Sequence, residues 1–222
     1  MSSRTRVFLG LLAFAVARVA GLAAQTAASD SGTFVIRRAG DTVATEQFTR
    51  TATTLQGTLA VRNARGTSQS YEAVVAPDAS VALIEVTVRE SQDSRRVKGK
   101  VVQRARVIFK EDSAAVDDIT GNGLQTRVFG TGRGAVPYLN LSFGLLEQAV
   151  RRSRAVAPGQ GQVPLFNLGG GQTLDAKISP LGADSLAVAI GKVEFHLRVD
   201  SAGRVLGGRI PSQNVVAERV GS

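Results

Sequence analysis

The stretch PYLNLSFGLLEQAVRRSR, Pro137 to Arg154, carries the pattern that decides the fold. Four large apolar residues recur along it at steps of four, three and four: Leu139, Phe143, Leu146 and Val150. This spacing is typical of one face of an α-helix, and Glu147 and Gln148 fall off that face. Burying each large apolar side chain contributes roughly 1.5–3 kcal/mol before the entropy cost. The pattern therefore predicts a helix over about 137–154 that needs a broad apolar partner surface.

Most of the remaining chain has the composition and alternation of β-strands. Apolar and polar residues alternate in Val81–Arg89, as in a sheet with one face in water. Val101–Lys110 alternates as well, with Ile108 as the one apolar residue on its basic face. Turn-forming groups such as residues 38–41 separate neighbouring runs and predict hairpins. We therefore expect a mainly β (α+β) domain over 25–222, in which a curved antiparallel sheet or incomplete barrel of about eleven strands packs around one long helix.

The N-terminus has the features of an export signal. Arginines precede an apolar run from Val7 to Ala17, and small residues permit cleavage after Ala24. Arg18 interrupts the run well short of the roughly 20 residues that a membrane-spanning helix needs. Residues 1–24 are therefore predicted to be a secretory signal peptide. The mature protein is expected to be periplasmic or secreted, with no transmembrane segment after cleavage.

The composition narrows the classes of function. The chain has no cysteine, which excludes disulfides, thiolate metal sites and a lipid-modified cysteine. Its single histidine makes a conventional zinc site improbable, and we predict no metal and no cofactor. The formal net charge is +9, and removing the three arginines of the signal leaves about +6, which favours anionic neighbours. Aromatic residues make up only 5% of the chain, so we predict no nucleic-acid partner.

Several residues resemble parts of catalytic sites without completing one. His196 alternates with apolar residues in a strand-like run and is expected to face solvent. Ser142 lies in residues 140–144, where asparagine replaces the first glycine of a nucleophile elbow, so we expect its hydroxyl to satisfy a free amide near the helix start. The adjacent carboxylates at 111–112 and 117–118 point to opposite faces of a strand. No catalytic residue is therefore assigned, and a hydrolase built from distant carboxylates is a third alternative.

The glycine stretch Gly130–Gly134 precedes the predicted helix. Glycines before a helix can cradle phosphate, because backbone amides approach the anion closely there. The spacing departs from the dinucleotide-binding pattern, since Ala135 stands where the third glycine belongs, and no P-loop lysine follows. We expect a hinge that leads directly from the sheet into the helix.

The order of these elements is similar to that of uncharacterised secreted bacterial β-rich proteins of the domain-of-unknown-function kind. Strand hairpins come first, then a glycine-marked entry to one helix, then a second meander that ends through Asp200-Ser-Ala-Gly203. The order more distantly resembles the architecture of periplasmic lipoprotein carriers, in which a curved, incompletely closed antiparallel sheet wraps helices and holds acyl chains. No functional residue is transferred from either group.

Two functions are expected from these observations. The first is a non-enzymatic binding protein that holds an apolar or lipid-like ligand between helix and sheet, against Leu139, Phe143, Leu146 and Val150. The second is a structural or assembly module of the cell envelope. That module would dock a protein partner through a sheet edge or through the polar loop Glu90–Lys100.

Overall fold

The computed structural model describes residues 29–63, 66–90, 99–156 and 161–221. The predicted signal peptide and most of the Glu90–Lys100 loop lie outside these ranges. Within them the chain forms fifteen strands, one α-helix and one short 3-10 helix. The strands are β1 (Asp30–Arg38), β2 (Asp41–Arg50), β3 (Thr54–Val61), β4 (Thr67–Val75), β5 (Val81–Glu90), β6 (Lys100–Phe109), β7 (Ser113–Thr120), β8 (Gly123–Gly130), β9 (Val136–Tyr138), β10 (Gln162–Asn167), β11 (Thr173–Gly182), β12 (Ser185–Ile190), β13 (Val193–Val199), β14 (Val205–Ile210) and β15 (Val215–Val220). The α-helix α1 spans Phe143–Ala155 and the 3-10 helix spans Pro211–Gln213.

All fifteen strands belong to one sheet. Their order is β8-β7-β6-β5-β4-β3-β2-β1-β15-β14-β13-β12-β11-β10-β9, so two meanders join where the first strand pairs with the last. That junction is antiparallel, with Phe34 opposite Arg219 and Ile36 opposite Ala217. All neighbouring strands are antiparallel except β9 and β10, which run parallel. The strands of the described residues therefore form one continuous sheet.

The sheet curves, so that its inner face encloses helix α1. Phe34 of β1 stacks on Phe48 at 5.6 Å between ring centroids and contacts Phe143 of the helix at 5.4 Å. Phe166 of β10 meets Phe109 of β6 at 5.7 Å and Phe129 of β8 at 5.8 Å, which brings the two ends of the sheet together. The buried apolar side chains of the helix and of the sheet form one continuous core. The helix has thirteen residues and is only about 20 Å long, so side chains of the sheet cover the rest of the inner face.

The predicted mainly β fold, with one helix and a large antiparallel sheet, is confirmed. The predicted number of strands was wrong, since the described residues form fifteen strands and not about eleven. The helix was also predicted to begin too early. Pro137 and Tyr138 belong to β9, and Leu141 has a φ of +66°, a left-handed conformation that separates this strand from the helix. For the same reason the glycine stretch leads into β9 and not directly into the helix.

Candidate functional site

A buried carboxylate on the sheet holds the N-terminus of helix α1. Glu46 of β2 is fully buried, and its Oε2 accepts hydrogen bonds from the backbone amides of Phe143 at 2.7 Å and Gly144 at 2.9 Å. Its Oε1 accepts from the hydroxyls of Ser142 at 2.5 Å and Tyr71 at 2.8 Å. A negative charge is favoured at this end of a helix, where the first amides lack partners within the helix. As expected, the Ser142 hydroxyl satisfies such an amide, that of Leu145, at 3.2 Å.

A second buried carboxylate holds the next turn of the helix. Glu147 is also fully buried, with its Oε1 3.3 Å from Nε of Arg50 and its Oε2 3.3 Å from Nη1 of Arg219. The backbone amide of Val205 donates a hydrogen bond to Oε2 at 2.8 Å. Arg50 Nε lacks hydrogen-bond geometry, so its contact with the carboxylate is Coulombic. Arg50 also donates to the carbonyl of Gly144 at 3.2 Å and to the side chain of Gln148.

The helical spacing did not predict the surroundings of two polar residues of the helix. Glu147 and Gln148 lie off the apolar stripe. The curved sheet encloses every residue from Phe143 to Val150, so both side chains are fully buried. Arginines from β2 and β15 contact their side-chain oxygens, and the amide nitrogen of Gln148 donates to the carbonyl of Ala79 at 2.8 Å. Helical periodicity alone does not predict such partners.

Burial perturbs the titrating groups of this cluster. It raises the pKa of Glu46, and the four hydrogen bonds donated to its carboxylate oppose that rise in part. Burial, together with the neighbouring Glu46 carboxylate, holds the pKa of Tyr71 well above its usual value. Burial lowers the pKa of Arg50, and the negative charge of Glu147 acts in the opposite direction. Because these groups are buried and bonded to one another, their evident role is to fix the helix in the sheet.

The four predicted ligand-binding residues lie in or against the core. Phe143, Leu146 and Val150 have exposed fractions of 1%, 3% and 0%. Leu139 is half-buried and packs against the same cluster. None of the four lines either of the two surface pockets described below. The structure thus brings these residues together, with protein side chains around them.

A depression on the outer face of the sheet lies over β13, β14 and β15. Gly207 of β14 stands between Arg198 and Glu218 of the neighbouring strands, and it has no side chain to fill the gap. One row along, Arg209 stands between His196 and Val216. The depression has a volume of about 590 Å³ and is lined by Leu181, Ser185, His196, Leu197, Arg198, Gly207, Gly208, Arg209, Val216, Ala217 and Glu218.

The charged side chains around this depression differ in whether they have a partner of opposite charge. His196 Nε2 lies 2.5 Å from Glu194, and His196 Nδ1 accepts a hydrogen bond from Arg209 Nε at 3.3 Å. Glu218 is held 2.6 Å from Arg37. Arg198 donates only to a backbone carbonyl, at 3.4 Å. Across the described ranges, neither Arg198 nor Arg209 lies within ion-pair distance of a carboxylate, so both guanidinium groups can serve an anion from outside.

Exposed apolar side chains border the same depression. Leu181 and Val216 are 51% and 44% exposed. Guanidinium groups bind phosphate and carboxylate oxygens, whereas these two side chains offer an apolar contact. His196, expected to face solvent, is half-buried in the wall of the depression. In the part of the chain that the structure describes, no group of three or more histidine and carboxylate side chains could hold a metal ion.

A second pocket on the outer face, about 430 Å³ in volume, lies over β2 to β5 and is predominantly polar. Glu72 and Glu85 stand directly opposite each other in it. The Asp117 and Asp118 side chains lie on opposite faces further along the sheet, as predicted, bonded to Thr126 and Gln103 respectively. Neither arrangement brings an acid and a base together on one substrate position.

Comparison with known proteins supports the fold only. No family model matches the sequence, and no curated protein matches it. A crystal structure of a DUF1089 family protein from Pseudomonas aeruginosa is similar, with a TM-score of 0.56 and 14% identity over 78% of this chain and 91% of that one. The β-barrel-like protein of the domain of unknown function DUF1849 from Brucella abortus has a TM-score of 0.47 and 12% identity over 85% and 95% of the two chains. The expected likeness to uncharacterised β-rich domains is thus confirmed, while secretion and the likeness to lipoprotein carriers stay predictions.

The sequence contained part of the signal for the outer depression. Glu194, His196 and Arg198 alternate with apolar residues, which correctly predicts one polar face for this strand. The alternation does not give the register, which places Gly207 beside Arg198 and Arg209 beside His196.

Among the described residues, no helix has the length and apolar character needed to cross a bilayer.

Proposed function

We propose that the protein is an exported, non-enzymatic binding protein of the periplasm that takes an amphiphilic anion, an acyl or alkyl chain with a phosphate or carboxylate head, in the outer depression. The observation that carries the proposal is that Arg198 and Arg209 have no carboxylate partner among the residues that the structure describes, and that the exposed side chains of Leu181 and Val216 lie beside them. Export rests on the N-terminal sequence pattern.

The charge balance of the depression favours an anionic head group. The one acid of its lining, Glu218, is paired with Arg37, and the nearby Glu194 is bonded to His196. The guanidinium groups of Arg198 and Arg209 therefore provide the available charge. A charge-assisted hydrogen bond to an anion contributes about 1.5–3 kcal/mol, so each arginine is worth roughly tenfold or more in affinity.

The position of this site differs from the one expected from the helix pattern. The proposed ligand still has an apolar part, as the sequence analysis expected. The space between helix and sheet, however, contains Phe143, Leu146 and Val150 packed against the core. A ligand at that inner position would have to displace these side chains and the hydrogen bonds of Glu46. The outer depression requires neither change.

Calorimetric titration of the mature chain, residues 25–222, tests the proposal. Dodecyl phosphate below its micelle concentration is expected to bind saturably, and dodecanol and inorganic phosphate about tenfold or more weakly. The double substitution Arg198→Gln, Arg209→Gln should remove the preference for the phosphate. Arg133→Gln is the matched control, since Arg133 is exposed and pairs with Glu111 away from the depression. Equal binding of dodecanol and dodecyl phosphate, or no saturable binding, would contradict the proposal.

A second candidate is an assembly module of the envelope that docks a protein partner. The observation that favours it is β8, an end strand of the sheet with Leu124 and Val128 exposed by 63% and 71%. Affinity capture with the wild-type chain and with a Val128→Lys variant tests this candidate. A partner is expected to be retained by the wild type alone.

A further inference from the structure

Residues 123–128 of strand β8 form an exposed sheet edge, while the end of the strand is covered where Phe129 packs on Phe166. β8 ends the hydrogen-bonded order of the sheet, and in the described residues it pairs with β7 alone. Residues 123–128 are all exposed, and Arg127 is the one charged residue of the strand. Natural edge strands are usually short or carry lysine, proline or a bulge that prevents pairing with another chain. β8 has eight residues, no lysine, no proline and no bulge in its pairing with β7, so it can pair with another strand.

An apolar row on the outer face runs up to this edge. Each of five neighbouring strands contributes one residue directly opposite the next, in the order Val74, Leu83, Ile108, Ala115 and Val128. With strands about 4.8 Å apart, the row extends for about 19 Å. Ile108, the apolar exception on the basic face of its strand, is the middle of the row. The row is most exposed at its end, where Val128 is 71% exposed.

The exposed part of β8 is complementary to itself. If two copies pair antiparallel with Thr126 on the two-fold axis, Leu124 of each copy lies opposite Val128 of the other. Both side chains are on the outer face, because residues two apart along a strand share a face. Arg127 then lies opposite Gln125, so no two arginines face each other directly. A two-fold axis makes both halves of the contact the same, as in most homodimers.

This pairing also joins apolar surface across the two copies. Leu124 is paired with Ile119 of β7, and Ile119 is 49% exposed. The row that ends at Val128 of one copy would continue through Leu124 and Ile119 of the second copy. Cross-strand apolar pairs of this kind stabilise antiparallel sheets.

We propose that β8 pairs with β8 of a second copy of this chain, so that the mature protein is a symmetric dimer with one sheet continuous across the interface. The inference names the partner for the docking candidate and rests on that candidate, and it does not depend on the outer depression. Failure of dodecyl phosphate to bind would leave it unaffected.

The first test measures the mass of the mature protein by sedimentation over about 1–100 µM. The wild type is expected to be a dimer, and Val128→Lys or Leu124→Lys is expected to be monomeric over the same range with unchanged circular dichroism. Val74→Lys is the matched control, because Val74 is 44% exposed in the same row but lies four strands from the edge. This variant should stay dimeric. A monomeric wild type, or a dimer that survives Val128→Lys, would overturn the inference.

The second test determines the register of the β8–β8 pairing by disulfide crosslinking. The chain has no cysteine, so a Thr126→Cys variant has one thiol, and in the proposed dimer the two thiols face each other within disulfide distance. Mild oxidation is expected to crosslink this variant nearly completely. An Arg127→Cys control should crosslink poorly, because its thiols are offset by two residues. A dimer in which Thr126→Cys fails to crosslink would overturn the proposed pairing. A monomeric wild type that still captures an envelope protein would overturn the dimer and indicate that β8 pairs with a different partner.

Discussion

The cluster beneath helix α1 and the depression on the outer face each contain two arginines from different strands, but the arginines have different surroundings. Arg50 and Arg219 have side chains 6% and 7% exposed, and both face the carboxylate of Glu147. Arg198 and Arg209 face no carboxylate among the described residues. A buried charge needs a partner within the fold, because its desolvation is otherwise uncompensated. An unpaired guanidinium is tolerated only where water reaches it, and there it is available to a ligand.

The largest expected effect comes from removing the shared carboxylate of the inner cluster. Glu147→Ala leaves Arg50 buried without a counter-charge, while Arg219 keeps Asp30 at 2.5 Å. Breaking a buried pair in this way costs about 3–5 kcal/mol. Urea denaturation should detect this loss in the free energy of unfolding. Glu111→Ala is the control, since the Glu111–Arg133 pair is exposed on both sides and contributes at most about 1 kcal/mol. A loss below about 1 kcal/mol for Glu147→Ala would mean that the cluster does not hold the helix.

Leu146→Ala sharpens the comparison, because it separates core packing from ligand contact. Leu146 is 3% exposed in the core, so the substitution should lower the free energy of unfolding by about 2–5 kcal/mol. The dissociation constant for dodecyl phosphate should change less than about twofold in protein that is still folded. Denaturation and calorimetry on the same preparation measure both quantities. A large loss of affinity would return the ligand to the helix face predicted from the sequence.

A smaller effect is expected for Tyr71→Phe, which removes one of four hydrogen bonds to Glu46 at an expected cost of about 1–3 kcal/mol. Because burial holds the pKa of Tyr71 well above the usual tyrosine value of 10.0, the folded state keeps the phenolic proton where the unfolded chain loses it. The stabilisation is fully present below pH 10 and declines as pH rises toward the raised pKa. The difference in unfolding free energy between wild type and Tyr71→Phe should therefore shrink above pH 10. Denaturation at pH 8 and pH 11 measures it, and a widening difference would contradict the assignment.

Local patterns predicted most of the secondary structure. The alternation in Val81–Arg89 and the turn at 38–41 correspond to strand β5 and to the β1–β2 hairpin. The short strand β9 escaped prediction, because Pro137 and Tyr138 continue the apolar spacing of the helix in sequence. Only the pairing with β10 and the left-handed backbone at Leu141 separate the two elements. Such features depend on contacts distant in sequence.

The candidate site was harder to predict for the same reason. A strand pattern tells which side chains share a face, and it placed His196 and Arg198 together. It does not tell which residue of the next strand lies opposite, so the gap at Gly207 became visible only with the register of β13, β14 and β15. The burial of Glu147 likewise depends on Arg50 and Arg219, which lie 97 positions before it and 72 positions after it.

The central claim is that the ligand binds in the outer depression, where Arg198 and Arg209 face no carboxylate of the described residues, and not at the inner cluster, where Arg50 and Arg219 are paired. Amide chemical-shift mapping of ¹⁵N-labelled mature protein with dodecyl phosphate tests this claim most directly. The account predicts the largest shift changes around Gly207, at Arg198, Arg209 and Val216. Largest changes in Phe143–Val150 would contradict it.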